Sequence, residues 1–372
     1  MIRQPTGRNG YEELLQASDL LRTSKLLGKA QDTNASLSIK RQALAEKPVM
    51  DALRLTRQGL AKPVFPPRQE ITPYTNFPEF AGFRNIGRVL RIQQYVLLAD
   101  GRTTEALGVL RLGLRLGRVL QAQTLISGLV GIAVDAITVN TLGGHLDQLS
   151  ARDCELLLQV CLERLREPDP YPEILEGEQR LAWATLAEAR KAAAKDGLGT
   201  LLDSDADEED TEKETPEPKP QVPLTPQELE ALWKEVERRV DDAFARARVE
   251  VRKPLWERAL AKADEDESLA EQLADMFAPI FTQAGHAYAR NQAQLRLLAC
   301  HAAIRRYRWE HDRLPPTLAV LDLGDLAVDP FTGEPLQYEV TGVQYRLHSV
   351  GAPASPEDEK AVDGRRPVSV VP

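Results

Sequence analysis

The stretch RNIGRVLRIQQYVLLADGRTTEALGVLRLGLRLGRVL, residues 84–120, decides the fold class. Apolar residues recur in it every three or four positions, which is the period of an amphipathic helix. The sequence DGRT, residues 100–103, interrupts that pattern with a turn. The stretch therefore predicts two helices, over 84–98 and 104–120, and so short a connection makes them antiparallel neighbours.

Helical patterns continue on both sides of this pair. A third helix is predicted over 125–142, and Ser150 with Asp153 forms a variant of the capping box that begins a fourth. Towards the N-terminus, helices are expected over about 10–30 and over 38–60. The whole pattern predicts a mainly α-helical protein built from antiparallel helical hairpins, arranged as a tetratricopeptide-like array or as a bundle.

The composition agrees with this fold class. The 372 residues are 42% hydrophobic, 28% charged and 5% aromatic, values typical of a soluble and largely helical globular chain. The net charge is −9, but residues 203–214 (DSDADEEDTEKE) alone hold eight acids and one lysine, a net −7. The acidity is therefore local and says little about the partners of the folded parts.

Turn signals and shifts in composition divide the chain into seven segments. They are N-terminal helices (1–62), a Pro-rich connection (63–78), a helical-hairpin domain (79–198), an acidic and Pro-rich linker (199–224), long helices (225–312), a β-hairpin module (313–351) and a loosely ordered tail (352–372). The linker is expected to be disordered or extended, because it cannot bury enough apolar surface to offset its ordering entropy. Thr225, Pro226 and Glu228 then occupy the N-cap, N1 and N3 positions of a new helix.

The most apolar window, residues 124–142, reaches membrane-spanning length but contains Asp135 and Asn140. These polar interruptions favour a helix buried in a bundle, and no transmembrane segment is expected. Cys154 and Cys161 are seven positions apart on one predicted helix, too far apart to form a disulfide with each other. We expect both thiols to pack in the core.

The segment AAIRRYRWEHDRLPPTLAVLDLGDLAVDPFTGEPLQYEVTGVQYRLHSVG, residues 302–351, ends in two alternating apolar runs that predict a β-hairpin. Its order of motifs resembles the C-terminal part of the major pseudopilin of type II secretion, in which a long helix, a DPwGxPxxY loop and a hairpin closing in YxLxSxG follow one another. The residues that carry the resemblance include Asp329, Pro330, Gly333, Tyr338, Tyr345, Ser349 and Gly351. It implies a small α+β module whose hairpin covers the end of the preceding helix.

The pseudopilin calcium loop is replaced here by residues 352–356 (APASP), so no metal site is expected. The whole chain also resembles a loose group of bacterial envelope proteins, through GRNGYEELLQASDLL (7–21) and LISGLVGIAVDAI (125–137). That resemblance implies a periplasmic or envelope-associated location, whereas a native start at Met1 would predict a cytoplasmic one. It implies no activity and no catalytic residue.

The sequence lacks the common motifs that would indicate catalysis or metal binding. The five histidines (His145, His286, His301, His311 and His348) show no metal-ligand spacing, and there is neither a phosphate-binding Gly-rich loop nor a nucleophile elbow. We therefore assign no catalytic residue, no metal and no cofactor. Catalytic groups can still come together only in the fold, so an enzyme is disfavoured rather than excluded.

Six arginines form two stripes at helical spacing on the first pair of helices. They are Arg84, Arg88, Arg91, Arg111, Arg115 and Arg118. Such stripes could bind phosphates or an acidic partner. They could equally be a solvated face, or pair with the acidic faces of later helices.

The leading interpretation is a non-catalytic, envelope-associated scaffold or protein-interaction protein whose helical hairpins contact another protein. Two alternatives stay open. One is an enzyme with a cleft between helical hairpins, and the other is an anion or nucleic-acid binder that acts through the arginine stripes. Nucleic acid is the less expected partner, because no basic loop or interleaved aromatic residues accompany the stripes.

Overall fold

The computed structural model describes residues 7–65, 72, 75, 77–122, 124–198, 224–258, 268–277, 281–354 and 365–370. Within these residues the protein is mainly helical, with a small C-terminal antiparallel sheet of three strands, which confirms the predicted fold class at this level. The helices are α1 (Gly10–Leu21), α2 (Leu27–Ala30), α3 (Leu37–Ala45), α4 (Lys47–Leu60), α5 (Glu79–Ala99), α6 (Thr103–Leu120), α7 (Leu125–Gly143), α8 (Ala151–Leu165), α9 (Tyr171–Asp196), α10 (Pro226–Glu250), α11 (Leu269–Phe277) and α12 (Phe281–His311). The strands are β1 (Gln337–Thr341), β2 (Gln344–Pro353) and β3 (Arg365–Val368).

The two N-terminal helices predicted from sequence are each broken in two, so those predictions were wrong. The first ends at Leu21, and Ser24 then accepts the N–H of Leu27, the first residue of α2, at 3.0 Å. The second is interrupted at Glu46, whose backbone is extended. Pro48 explains this break, because within one continuous helix it would lack an N–H and its ring would clash with the preceding turn.

Helices α5 to α8 and α12 form the main apolar core together with α1 and α4. The predicted pair α5 and α6 is joined by a tight turn at Gly101, whose φ of +71° favours glycine. Helix α7 packs on both α5 and α6, and α12 packs on α7 and α8. At the α6–α7 contact a Cβ on Gly131 would lie 2.3 Å from the carbonyl oxygen of Gly117, so the two backbones touch.

Helices α9, α10 and α11 surround a second core. It contains Trp233, Val236, Val240 and Phe244 of α10 against residues of α9 and α11. The predicted capping box of Thr225 and Glu228 begins α10. A third, smaller cluster joins this three-helix arm to the main core and includes Leu125, Tyr171, Ile174, Val251 and Tyr288. The predicted linker lies outside the described residues, apart from Leu224 at its end.

The C-terminal sheet has the order β1-β2-β3, with both pairs antiparallel. Thr341 faces Gln344 across a two-residue turn, in which Gly342 has a φ of +62°. The sequence predicted only this hairpin and a loosely ordered tail, but residues 365–368 add a third strand. A Cβ on Gly351 would lie 1.6 Å from the carbonyl oxygen of Arg366, so the β2–β3 contact depends on a residue without a side chain.

Helix α7 is long and apolar enough to cross a membrane by length and composition. In the structure 56% of its most apolar window is buried, and it contacts α5, α6, α9 and α12. Both properties are also typical of a central helix in a helical core.

Candidate functional site

Four polar side chains meet in the interior between α6, α7, α8 and α12. Gln121 follows the last turn of α6, Asp135 lies in the middle of α7, Arg164 is at the end of α8, and Asn291 is in α12. All four are buried, and Asp135 has no exposed surface at all. We call these four residues the polar cluster.

The polar cluster is organised around one carboxylate oxygen. Asp135 Oδ2 accepts hydrogen bonds from Arg164 Nη2 at 3.1 Å, Asn291 Nδ2 at 3.0 Å and Gln121 Nε2 at 3.2 Å. The same Arg164 nitrogen donates to Gln121 Oε1 at 3.0 Å. Three helices and the end of a fourth are therefore tied to one atom.

Several polar atoms in and beside this cluster have no hydrogen-bond partner among the residues that the structure describes. They are Asp135 Oδ1, Asn291 Oδ1, Arg164 Nε and the hydroxyl of Tyr288. Asp135 Oδ1 packs against Gly117, where a Cβ would lie only 1.9 Å away. The glycine thus makes the space into which the carboxylate fits.

Burial raises the pKa of Asp135, and the guanidinium of Arg164 with the amide donors acts in the opposite direction. A buried ion pair of this kind adds little net stability over apolar packing, but losing one partner is costly because the other charge stays buried. The arrangement can therefore hold four helices in one register. It does not present the carboxylate to a ligand in solution.

The polar cluster extends towards the arm through charged and aromatic groups. Arg164 Nη1 lies 3.3 Å from Glu167 Oε2, and Arg118 Nε lies 3.7 Å from the same oxygen. The rings of Tyr171 and Tyr288 are 4.9 Å apart between centroids. Tyr171 is the first residue of α9 and Tyr288 lies in the third turn of α12, so this ring contact joins the arm to the helix that carries Asn291.

Glu178 of α9 forms a second link between the arm and the main core. Its Oε1 accepts the backbone N–H of Leu125, the first residue of α7, at 2.5 Å. Burial raises the pKa of Glu178, and the N–H of Leu125 partly opposes that effect. A carboxylate at this position satisfies an N–H that the helix itself cannot pair, and it complements the positive end of the helix dipole.

The six arginines proposed from sequence divide into two groups. Arg111 pairs with Glu163 at 2.9 Å, Arg118 with Glu167, and Arg91 donates to the carbonyl of Gln31 at 2.6 Å. Arg84, Arg88 and Arg115 are exposed, and within the described residues none of these three has an ion-pair partner. Arg88 donates to Asn85 one turn away on its own helix, at 2.9 Å. Arg111 and Arg118 thus pair with glutamates in α8 and directly after it.

Asp329 of the C-terminal motif is buried and contacts another motif residue, Ser349. One of its oxygens accepts the N–H of Phe331 at 3.0 Å and the hydroxyl of Ser349 at 2.9 Å, and the other accepts the N–H of Val350 at 2.8 Å. Gly333 has a φ of +75°, as the loop requires. The motif therefore joins its loop to β2.

Two tyrosines fasten this module to neighbouring segments. The hydroxyl of Tyr338 donates to the carbonyl of Pro315 at 2.8 Å. The hydroxyl of Tyr345 lies 2.7 Å from Nδ1 of His301 on α12. Burial lowers the pKa of His301 to about 3, so this imidazole is neutral at physiological pH.

Cys154, Cys161 and Cys300 are free and buried, and burial raises the pKa of Cys154 to about 11 and that of Cys300 to about 12. The predicted core role of Cys154 and Cys161 agrees with this burial. Among the residues that the structure describes, no group of three or more His, Cys, Asp or Glu side chains could hold a metal ion.

An open cleft of about 380 Å³ lies on the arm, between α9 and α10. Trp183, Leu186 and Ala194 contribute apolar surface, and Arg190 and Lys191 contribute charge. Arg190 pairs with Glu237 at 3.1 Å, and Lys191 pairs with Glu188 at 2.7 Å. The cationic groups of this cleft are therefore already paired within the protein.

Comparisons with protein-family models, with curated proteins and with solved structures found no match to this chain. The polar cluster was missed by sequence reasoning, although Asp135 stood out as an acid inside the most apolar helix. That position was itself a signal, because a buried carboxylate needs hydrogen-bond donors or a cation. The identity of those donors could not be read from sequence.

Proposed function

We propose that the protein is a non-catalytic interaction scaffold of the bacterial envelope, in which the helical core presents a surface to another protein. The observation that carries the proposal is a stripe on the outer face of α7. Ile126 and Leu129 are 53% and 42% exposed although they lie on the most apolar helix of the chain. Apolar side chains of this size in solvent mark a contact surface when they form a continuous stripe.

The stripe continues along α7 with a defined spacing. Ala133 and Ala136 are half-buried and Asn140 is exposed, so the outward positions 126, 129, 133, 136 and 140 alternate steps of three and four. That spacing is the seam of a helix pair, and the two alanines would let another helix approach closely. The stripe therefore fits an amphipathic helix of a partner protein, which would place its own apolar residues against Ile126 and Leu129.

The distribution of polar groups also supports a scaffold over an enzyme. The polar cluster is sealed inside the helical core, and its carboxylate contacts an arginine and two amides of the same chain. The cationic groups of the open cleft on the arm are paired with glutamates of the same chain. An active site would instead bring unpaired titratable groups together at a concave surface.

Anion binding is the second candidate, and it is favoured by the exposed positions of Arg84, Arg88 and Arg115. Binding to immobilised heparin that is lost in the triple alanine variant of these residues would support it. Unchanged retention of that variant would contradict it.

The finer features of the fold belong to the same proposal. The tetratricopeptide-like arrangement is supported by the tight antiparallel pair α5–α6, and the pseudopilin-like module by the Asp329 loop and by a hairpin that packs on α12. Envelope association rests on the resemblance of the sequence alone.

A photo-activated cross-linker in place of Ile126, introduced in the native cell, tests the proposed function. We expect one discrete protein adduct, which is lost when Leu129→Glu is added. Exposed Gln159 on α8 is the matched control position and should give no adduct. Lipid adducts, an adduct of the size of a second copy, or equal adducts at both positions would contradict the proposal.

A further inference from the structure

The two edges of the C-terminal sheet are built differently. Strand β3 has the sequence RRPV, in which Pro367 lacks an N–H and two arginines carry charge. Prolines and positive charges are common means of preventing an edge strand from pairing with another chain. Strand β1, QYEVT, has neither a proline nor a basic residue, and four of its five residues are exposed.

The register of the hairpin shows which groups β1 leaves open. Thr341 and Gln344 close a two-residue turn and are therefore a hydrogen-bonded pair. Hydrogen-bonded and non-hydrogen-bonded pairs alternate along an antiparallel ladder, so Tyr338 and Val340 belong to non-hydrogen-bonded pairs. Their N–H and C=O groups point away from β2, and among the described strands β1 pairs with β2 alone.

The side chains along β1 give this edge two distinct faces. Tyr338 and Val340 share the face on which Leu347 of β2 joins the main core. Val340 is still 42% exposed, and Val343 in the turn is 75% exposed. Glu339 lies on the opposite face, across from Arg346 of β2, and is the only charged residue of β1, so a basic residue on an added strand would continue a row of alternating charges.

We propose that β1 is a docking edge for an extended segment of another protein, which adds an antiparallel strand beside Tyr338 and Val340 and places a lysine or arginine opposite Glu339. The inference goes beyond the proposed function, since it names a second surface and a second kind of partner segment. The backbone of the segment would pair with the four open groups of Tyr338 and Val340. Its apolar residues would lie beside those two side chains.

Charge decides between such a segment and a second copy of this chain. The partner residue opposite Glu339 occupies a non-hydrogen-bonded pair, where facing side chains come closest. A second copy paired over all five residues of β1 would place Glu339 against its own equivalent. Centring the pair on Val340 avoids that clash but leaves only residues 339–341 of each copy in register, because β1 ends at the turn.

Synthetic peptides test the proposal without knowledge of the natural partner. The first probe is a fluorescent peptide GSTVKVTSG, and the second has glutamate in place of its lysine. We expect the lysine peptide to bind about fivefold more tightly than the glutamate peptide, as expected for one favourable against one unfavourable cross-strand pair. The amides of Tyr338 and Val340 should become protected from hydrogen exchange when it binds.

Two variants separate backbone pairing from charge. Glu339→Lys should reverse the preference between the two peptides. Val340→Pro removes an open N–H without removing a bond to β2, and it should weaken both peptides about tenfold or more, whereas the control Val340→Thr should not. If Val340→Pro disturbs the fold, methylation of the valine backbone nitrogens in the peptide makes the same test on the wild-type protein.

Each result decides the matter. Equal binding of the two peptides, no reversal by Glu339→Lys, or full binding of the methylated peptide would overturn the proposal. A dimer of the chain that Val340→Pro dissociates would show that a second copy occupies the edge, and would also overturn it. Failure here with intact cross-linking at Ile126 would reject the docking edge and leave the proposed function standing, and the opposite pattern would reject the α7 surface alone.

Discussion

Asp135 in the helical core and Asp329 in the C-terminal module are both buried carboxylates, but their partners are of different kinds. Asp135 uses one oxygen for three side chains that lie 14, 29 and 156 positions away in the sequence. Asp329 uses both oxygens, for two backbone N–H groups and one hydroxyl that lie 2, 20 and 21 positions away. The first residue fixes how distant helices pack, and the second fixes the shape of one loop and its strand.

The variant with the largest expected effect tests whether the stability of the fold depends on the ion pair between Asp135 and Arg164. Arg164→Ala would leave the carboxylate buried without a counter-charge, and should lower the free energy of unfolding by about 4 kcal/mol in urea denaturation. Arg111→Ala breaks the exposed pair with Glu163 and is the matched control, with an expected loss below about 1 kcal/mol.

A double variant sharpens this test. Arg164→Leu combined with Asp135→Leu removes both charges, and should be less destabilised than the sum of the two single variants. Similar losses for Arg164→Ala and Arg111→Ala would show that the polar cluster does not organise the helical core.

Asp329→Ala tests the buried carboxylate of the C-terminal module. It removes three hydrogen bonds to a buried carboxylate, and should cost about 3 kcal/mol, seen as a lower urea midpoint and faster hydrogen exchange in β2. Exposed Asp325 lies four residues earlier, and Asp325→Ala should change stability by less than about 0.5 kcal/mol. Loss of exchange protection in α7 as well as in β2 would mean that the two regions are not independent.

His301 lies where the two regions meet, and its effect depends on pH. Its pKa is lowered to about 3 by burial, so below the ordinary pKa of about 6.5 the unfolded chain binds a proton that the folded protein does not. The stability that comes from keeping His301 neutral in the fold is fully present above about pH 6.5 and is lost as the pH falls towards 3. Between about pH 7 and pH 5, protonation of His301 in the unfolded chain should lower the free energy of unfolding by about 2 kcal/mol.

Urea denaturation at both pH values checks this expectation. The wild type should lose more stability than His301→Gln over the same interval, while exposed His311→Gln should follow the wild type. The same pH dependence in all three proteins would contradict a neutral His301 in the fold.

The smallest effect is expected at Ser349. Ser349→Ala removes one of the three bonds to Asp329 and the acceptor of the Gly351 N–H, but leaves two backbone donors on the carboxylate. The loss should be about 1 kcal/mol by thermal denaturation. Exposed Thr341→Ala should change the melting temperature less, and a loss at Ser349 equal to that of Asp329→Ala would mean that the loop depends on the hydroxyl alone.

The elements set by local patterns could be predicted from the sequence. The helical spacing of apolar residues, the turn residues and the N-cap residues predicted α5, α6, α7, α8 and the start of α10 close to their observed positions. The turn at Asp329, Pro330 and Gly333 is local for the same reason, because these turn residues are adjacent in the sequence. The bonds of Asp329 to Ser349 and Val350 depend on the fold. The break at Glu46 was also local, but its signal, Pro48, was overlooked.

What depends on distant contacts could not be predicted. Gln121, Arg164 and Asn291 are ordinary polar residues in their own helices, and only the packing of α6, α7, α8 and α12 brings them to Asp135. The third strand was missed because residues 365–368 contain a proline and two arginines, which argue against a strand until β2 supplies a partner. The arginine stripes were visible, but their pairing with Glu163 and Glu167 required the fold.

The bond from Glu178 to the first N–H of α7 has a mechanical meaning. The arm follows α8 in the chain and precedes α12, so both of its ends enter the core that contains the polar cluster. Besides its covalent connections to α8 and α12, the arm contacts the N-terminal turn of α7 through this one carboxylate and a small apolar cluster. Leu125 is the immediate neighbour of Ile126, so we expect a displacement of the arm relative to the core to shift the exposed end of the α7 stripe.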